Sequence, residues 1–512
     1  MKYGFVIDHR KCIGCHACTV ACKSENEVPL GTFRTWVKYI EKGEYPDTRR
    51  FFSVLRCNHC DDAPCITICP VTALFRRDNG IVDFNGDRCI GCKSCMQACP
   101  YDALYINPNT NTAEKCNFCA HRVERQLEPA CVIVCPVQAI IAGDMDDPSS
   151  RLSQLVASEP TSVRKPEAGT HPKLFYIDAD QASLTPTEQT HTGGYLWSEL
   201  QMDAVMADEQ ALADSEARAR TTYDVSHERP WGWKVSAYLW TKSISAGVFL
   251  LMALAVGFAF VKSDWIFQVV APLVSLVFLA VTVGFLVWDL KRPERFLSIL
   301  FRPQWKSWLV IGGYILVIFG GLETAWLLIP AVGAFPAEGP VLLAGALFAL
   351  MSAMYSAFLF RQARGRVFWH SPLTPLHLVA QAMVAGAAML MLVVVGDSIL
   401  SGTRPGGPGW VFLNYELLGA LVANGVLIAG ELFMPEENVE RVRAVRLITQ
   451  GIFRKMFWGG TVIIGIVLPL LSLTSGISDS QIPAILTALA ALAGLFLWEH
   501  VWVQAGQAVP LS

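Results

Sequence analysis

From Trp240 onward the chain is a succession of long apolar stretches separated by short polar ones. Eight of them, at about 239–261, 267–289, 307–329, 340–360, 373–396, 410–433, 457–475 and 483–503, are each near 20 residues long. At about 1.5 Å per residue, that length crosses roughly 30 Å of hydrocarbon. The pattern predicts an all-α membrane domain of eight transmembrane helices over 233–505. Trp265, Trp305, Trp308, Trp410, Trp498 and Trp502 sit near span ends, as an interfacial aromatic belt requires. Before Trp240 the apolar runs are short and broken by Cys, Gly and Pro. Residues 148–232 are polar, rich in Ser, Thr, Pro, Ala, Glu and Asp, with one short strand expected in Pro172–Ile177. A stretch this long with little periodicity predicts a polar tether, or a segment that wraps over a partner subunit.

Composition sharpens the division. Of 512 residues, 53% are hydrophobic and 17% charged, and all 16 cysteines precede Ile140. Such opposed halves exclude a single soluble globule. The net charge of −3 leaves no electrostatic footprint for nucleic acid. The first ten residues carry no apolar core, twin arginine or cleavage site, so no export signal is expected there.

The cysteines form four quartets with none left over: Cys12, Cys15, Cys18, Cys22; Cys57, Cys60, Cys65, Cys69; Cys89, Cys92, Cys95, Cys99; and Cys116, Cys119, Cys131, Cys135. Pro70, Pro100 and Pro136 follow three of them. Disulfides fit poorly, because three thiols two residues apart wrap round one centre. Zinc ribbons use paired C-x2-C knuckles instead. The run C-x2-C-x2-C-x3-C-P is the bacterial ferredoxin pattern, in which the fourth cysteine ligates the other cluster of a pair. Four quartets predict four [4Fe–4S] clusters. Cys12-Ile13-Gly14-Cys15 recurs as Cys89-Ile90-Gly91-Cys92, and Cys57-Asn58-His59-Cys60 as Cys116-Asn117-Phe118-Cys119. Residues 1–147 are therefore read as a duplicated ferredoxin-like α+β domain. Lys11, Lys93, Lys115 and Arg122 lie beside ligands, where solvated charge is the commoner state and a raised cluster potential the alternative.

Lys11–Cys15, Arg88–Tyr101 and Lys115–Cys119 resemble the iron–sulfur subunit of membrane-bound molybdopterin oxidoreductases, the dimethyl sulfoxide, polysulfide, tetrathionate and sulfite group. The resemblance implies shared ligation. Cys135 would join Cys12, Cys15 and Cys18; Cys22 would join Cys116, Cys119 and Cys131; Cys99 would join Cys57, Cys60 and Cys65; Cys69 would join Cys89, Cys92 and Cys95. Thr241–Gly247, Asp289–Phe296 and Trp305–Trp308 are similar to the polysulfide-reductase, NrfD-type, membrane subunits. That implies a haem-free, quinone-reactive anchor of two four-helix bundles.

Eight spans return the chain to the side of the cysteine-rich domain. The three loops on that side hold thirteen Lys and Arg, against Lys262 and Arg404 opposite. The positive-inside rule then predicts a multi-pass protein of the bacterial inner membrane with the ferredoxin domain in the cytoplasm. Ionisable residues within spans are costly and so are candidates for function. Asp289 is expected at the centre of a quinone site at that face, with Lys242, His377 and Glu431 as further proton or carbonyl partners and Arg292 and Arg295 in support. The competing structural reading pairs Asp289 with Arg292 or Arg295. His500 is read as interfacial, and Glu323 as a proton-path residue or a satisfied polar group. No molybdopterin signature is present, so the substrate-transforming site belongs on a separate catalytic subunit. The leading expectation is an electron-transfer and anchor subunit linking the quinone pool to that partner. Redox-driven proton translocation and a passive anchor are the alternatives.

Overall fold

The computed structural model describes residues 1–197, 219–258, 265–332, 338–434 and 438–512. The N-terminal part is built on two four-stranded sheets and two hairpins. Strands β1 (Tyr3–Asp8), β2 (Thr35–Lys42), β3 (Arg49–Arg56), β4 (Leu74–Arg76), β5 (Val82–Phe84), β6 (Leu104–Ile106), β7 (Ala113–Lys115), β8 (Ile140–Asp144), β9 (Thr161–Ser162), β10 (Leu174–Ile177), β11 (Gln189–Trp197) and β12 (Ala219–Asp224) give the orders β8-β1-β10-β9 and β11-β12-β2-β3, with β4-β5 and β6-β7 as the hairpins. β1 is buried on both faces. Phe5 and Ile7 pack towards Cys18, Phe118 and Cys131, while Val6 packs on Leu152 and Ile177. The hairpins are the repeated unit: each follows a quartet-closing cysteine and its proline, Cys69-Pro70 before β4 and Cys99-Pro100 before β6.

The expected tether is folded onto this domain instead. β10 runs parallel to β1 in the register Phe5↔Leu174 to Asp8↔Ile177. β12 pairs antiparallel with β2. Helix Arg151–Ser158, N-capped by Ser150 through the Ser153 N–H, covers the outer face of β1 with Leu152. The strand expected in Pro172–Ile177 is present as β10, but local periodicity misses the docking, because β10 and β12 are short and meet β1 and β2 more than 150 positions away. The part of the expected tether at 198–218 lies outside the described residues.

All eight expected spans are helices, at Trp233–Gly257, Ile266–Asp289, Trp308–Ile329, Glu338–Gln362, Thr374–Leu400, Gly407–Phe433, Met456–Thr474 and Gln481–Ala508. Spans one to four pack in a ring, as do spans five to eight, and the rings meet chiefly along spans one and five. That meeting is close because it is made of small residues. A Cβ on Gly247 would stand 1.7 Å from the Ala382 carbonyl oxygen, and one on Gly386 would stand 2.2 Å from the Gly247 carbonyl carbon. Both atoms are backbone, which cannot turn aside. Gly247→Leu is therefore expected to abolish accumulation of the folded protein in the membrane. Normal accumulation with an unchanged melting profile would contradict this packing.

The ferredoxin domain sits directly on the membrane domain. Ser307 Oγ donates to the Ile68 carbonyl (2.7 Å), Arg295 to the carbonyls of Gly86 and Cys89 (2.8 and 3.1 Å), and Arg366 to Gln97 Oε1 (2.8 Å). Gln97 in turn donates to Gln507 Oε1 (2.8 Å), and Lys165 pairs with Glu440 (2.7 Å). Residues 509–512 run beneath the domain, where Lys38 donates to the Ser512 carbonyl (3.0 Å) and Arg164 to that of Leu511 (3.1 Å). His227, just ahead of the first span, bonds Asp102 at 2.6 Å. Burial works against its charge, but Asp102 and then Asp224 outweigh burial and raise the imidazole from 6.5 to about 10. A raised folded value means a contribution that is complete below pH 6.5 and lost as pH climbs towards 10. Melting curves between pH 7 and 10 are expected to fall more steeply for the native protein than for His227→Gln; parallel slopes would remove His227 from the docking energetics.

Candidate functional site

The cysteines come together across quartets. Cys135 lies beside Cys12, and Cys22 beside Cys116, Cys131 and Cys119. Cys99 faces Cys57, Cys60 and Cys65. Cys69 faces Cys89, Cys92 and Cys95. Cysteines of different quartets are thus neighbours, as the crossed ligand sets require. The local fold delivers them: short helices Ala17–Glu25, Pro64–Ile68, Ser94–Ala98 and Ala130–Ile133 each present a quartet's last ligands. Backbone N–H groups point at sulfur in equivalent places, Ala73 to Cys69 and Ala139 to Cys135, both at 3.2 Å. Sixteen free cysteines, mostly buried, gathered across quartets and in places met by N–H donors, fit [4Fe–4S] clusters. Cys15 alone among the sixteen is exposed. His59, between Cys57 and Cys60, is buried; desolvation, then Lys115 and Lys173, keep its ring far below its usual pKa and neutral.

Where the domains meet, the first four spans enclose an apolar cavity of about 160 Å³. Its wall includes Tyr238 of the first span, Val283, Leu286, Val287 and Asp289 of the second, Leu316 of the third and Tyr355 of the fourth, with Cys92 and Ser94 at its ferredoxin end. Asp289 is only partly buried, and its Oδ1 accepts from Lys93 Nζ at 2.9 Å. Lys93 lies between Cys92 and Cys95 and is buried, not solvated, as is Lys115. The cavity therefore offers an apolar slot, a carboxylate at its wall, and a cysteine of the third quartet at its end.

The remaining sequence candidates are placed elsewhere. Arg292 and Arg295 do not pair with Asp289; they hold the carbonyls of Thr110, Gly86 and Cys89 on the ferredoxin domain. Lys242 does not reach the cavity. It is fully buried behind Tyr355, 4.9 Å from the ring centroid, and donates to Ser356 Oγ (2.8 Å) and the Ala353 carbonyl (3.0 Å). His377 and Glu431 belong to the second ring of helices, bonded to each other at 2.9 Å, with Asn424 on the other His377 nitrogen at 3.1 Å. Their sequence signal was depth along the span, which says nothing of which bundle a helix joins. His500 bonds Ser236 (3.3 Å), and Glu323 accepts from Ser275. Sequence reasoning missed Tyr238, Tyr355 and the pairing role of Lys93. Two tyrosines, one just ahead of the first expected span and one within the fourth, were the available signal.

Residues 222–510 match the family described as polysulphide reductase, NrfD, and residues 48–145 match a 4Fe-4S dicluster domain. The N-terminal part is similar to a tetrathionate reductase subunit of Salmonella typhimurium, 47% identical over 190 residues that cover 36% of this protein and 76% of that one. It is also similar to a polysulfide reductase polypeptide of Wolinella succinogenes, 45% identical over 181 residues (34% and 94%), and to protein NrfC of Escherichia coli, 45% identical over 180 residues (35% and 81%).

Proposed function

Because this protein belongs to the NrfD polysulphide reductase family and carries a 4Fe-4S domain ahead of its multi-pass membrane half, we propose that it is the electron-transfer and membrane-anchor subunit of a quinone-linked oxidoreductase. The observation that carries this reading is the apolar cavity that has Asp289 in its wall and Cys92 at its end. The four cysteine sets would hold four [4Fe–4S] clusters, which would supply one-electron transfer through the ferredoxin domain. A quinone exchanges two electrons and two protons, so its site needs a proton-exchanging group within reach of water. Asp289 is that group, and Lys93 holds it in place from the cluster side. Tyr238 and Tyr355 shape the slot. The test is quinol-dependent reduction of the purified complex in proteoliposomes: cluster reduction on adding quinol supports the reading, and inert clusters that dithionite still reduces would end it.

The partner is a molybdopterin-containing catalytic subunit, as expected for relatives of tetrathionate and polysulfide reductase subunits. Support comes from the exposed Cys15 with Ile13 beside it in sequence, and from exposed Val20, Ile133 and Val134 on or at the end of the mutually packed helices Ala17–Glu25 and Ala130–Ile133. Exposed apolar side chains on the cysteine-bearing elements suit a face that a redox partner covers. Val20→Glu with Ile133→Glu is expected to release the catalytic subunit while iron content stays full; co-purification at the native ratio would move the docking face elsewhere.

The ferredoxin domain faces the cytoplasm in this reading, with the protein in the inner membrane. Thirteen Lys and Arg on its side support the orientation, although Arg295, Arg366 and others also serve domain docking. Val509, Leu511 and Ser512 are buried, so a terminal reporter would disturb the fold. Arg404→Cys, on an exposed loop opposite, is expected to react with an impermeant maleimide from the periplasm.

A second reading, redox-driven proton translocation, has its own support. Glu323 and Glu499 are buried carboxylates within spans, each with one oxygen that has no hydrogen-bond partner. Proton uptake beyond that of the quinone chemistry, measured in the same proteoliposomes, would favour it.

A further inference from the structure

Arg56 ends β3 and is 1% exposed. Its Nη1 donates to Cys131 Sγ at 3.0 Å, and its guanidinium carbon lies 4.7 Å from the centre of the Phe5 ring. Nε and Nη2, also buried, have no hydrogen-bond partner. Among the described residues no carboxylate forms an ion pair with it. Arg34, which shares the wall of the same small cavity with Cys22, Cys116, Cys119 and Cys131, is the contrast: its charge is met by Glu114 at 2.8 Å. A buried guanidinium without a counter-ion is costly unless something anionic occupies the space beside it. The groups at hand that are anionic as cluster ligands are sulfurs: Cys131, which it touches, and Cys116 of the same set, and after them Cys18 of the neighbouring set.

Adding an electron to a thiolate-bound cluster adds one negative charge to the site. A fixed positive charge in the same water-poor interior favours that state, and more strongly the nearer it lies. We propose that Arg56 raises the reduction potential of the cluster held by Cys22, Cys116, Cys119 and Cys131 above that of the other three. Electrons entering from the membrane then collect there before passing on. Arg56 is a positioning residue in this role; it touches a ligand and not a substrate. The inference rests on the ligand sets proposed above.

The test is an EPR-monitored potentiometric titration of the whole complex carrying Arg56→Met, Arg56→Gln or Arg56→Lys. The Met and Gln variants should move one cluster's reduction equilibrium at least tenfold towards the oxidised form, a drop of about 59 mV for one electron. The Lys variant should stay close to native, because it keeps the charge. Cys119→Ser and Cys22→Ser should both alter that same cluster's signal. Unchanged potentials in a fully loaded Arg56→Met complex would overturn the proposal. So would loss of one cluster in both neutral variants, since the charge would then serve assembly. If Cys22→Ser and Cys119→Ser alter different signals, the ligand set is wrong, and the titrations still show whether Arg56 tunes any cluster.

Discussion

Asp289→Asn, in the assembled complex, is expected to lower quinone turnover by about 100-fold or more, the usual scale for loss of a general acid–base group. The substitution is close to isosteric, and the Asn carbonyl can still accept from Lys93 Nζ, now 2.9 Å from the carboxylate. What it removes is the capacity to take up and release a proton at the cavity wall. Cluster content and subunit association should remain native. Lys93→Met is a useful companion, because it frees Asp289 without removing it and should cost far less turnover. If Asp289→Asn works at a near-normal rate, or fails only because the complex does not assemble, the carboxylate is a docking residue and the proton group lies elsewhere.

Cys99→Ser is expected to remove or convert one cluster while leaving the others, a loss of up to about four of roughly sixteen irons. The cluster affected should be the one served by Cys57, Cys60 and Cys65, which Cys99 faces, and not that of its sequence neighbours Cys89, Cys92 and Cys95. Serine at Cys69 should do the reverse. Damage confined to the Cys89 group after Cys99→Ser would contradict the crossed ligand sets. Iron and sulfide analysis with EPR on each variant separates these results.

The spans and quartets were legible because their signals are local. Twenty apolar residues announce a helix in hydrocarbon without reference to the rest of the sequence, and C-x2-C-x2-C-x3-C sets ligand distances within a few turns. What was hidden depends on distant residues. Asp289 has arginines three and six positions on, yet its partner is Lys93, 196 positions away, brought there by domain docking. Arg292 and Arg295 looked like quinone-site support because they follow Asp289, but the chain turns after Leu290 and sends both to the ferredoxin surface. The 148–232 stretch read as a tether since the one strand it signalled, at Pro172–Ile177, does not show that it pairs with β1, and Ala219–Asp224 is too short to signal its place beside β2. Arg56 carried no signal of its own, being one more basic residue beside a cysteine.

The most direct test of the proposed quinone site is to fill the cavity. A Cβ on Gly313 of the third span would meet only Ile299 Cγ2, at 3.6 Å, so the helix can carry a larger side chain there, and Gly313 lines the cavity. Gly313→Phe is to be compared with the native protein in proteoliposomes, with cluster reduction followed by EPR after quinol and then after dithionite. Quinol should reduce the native clusters and leave those of Gly313→Phe oxidised, while dithionite reduces both. Equal reduction by quinol in the two proteins would contradict a quinone site between the first four spans.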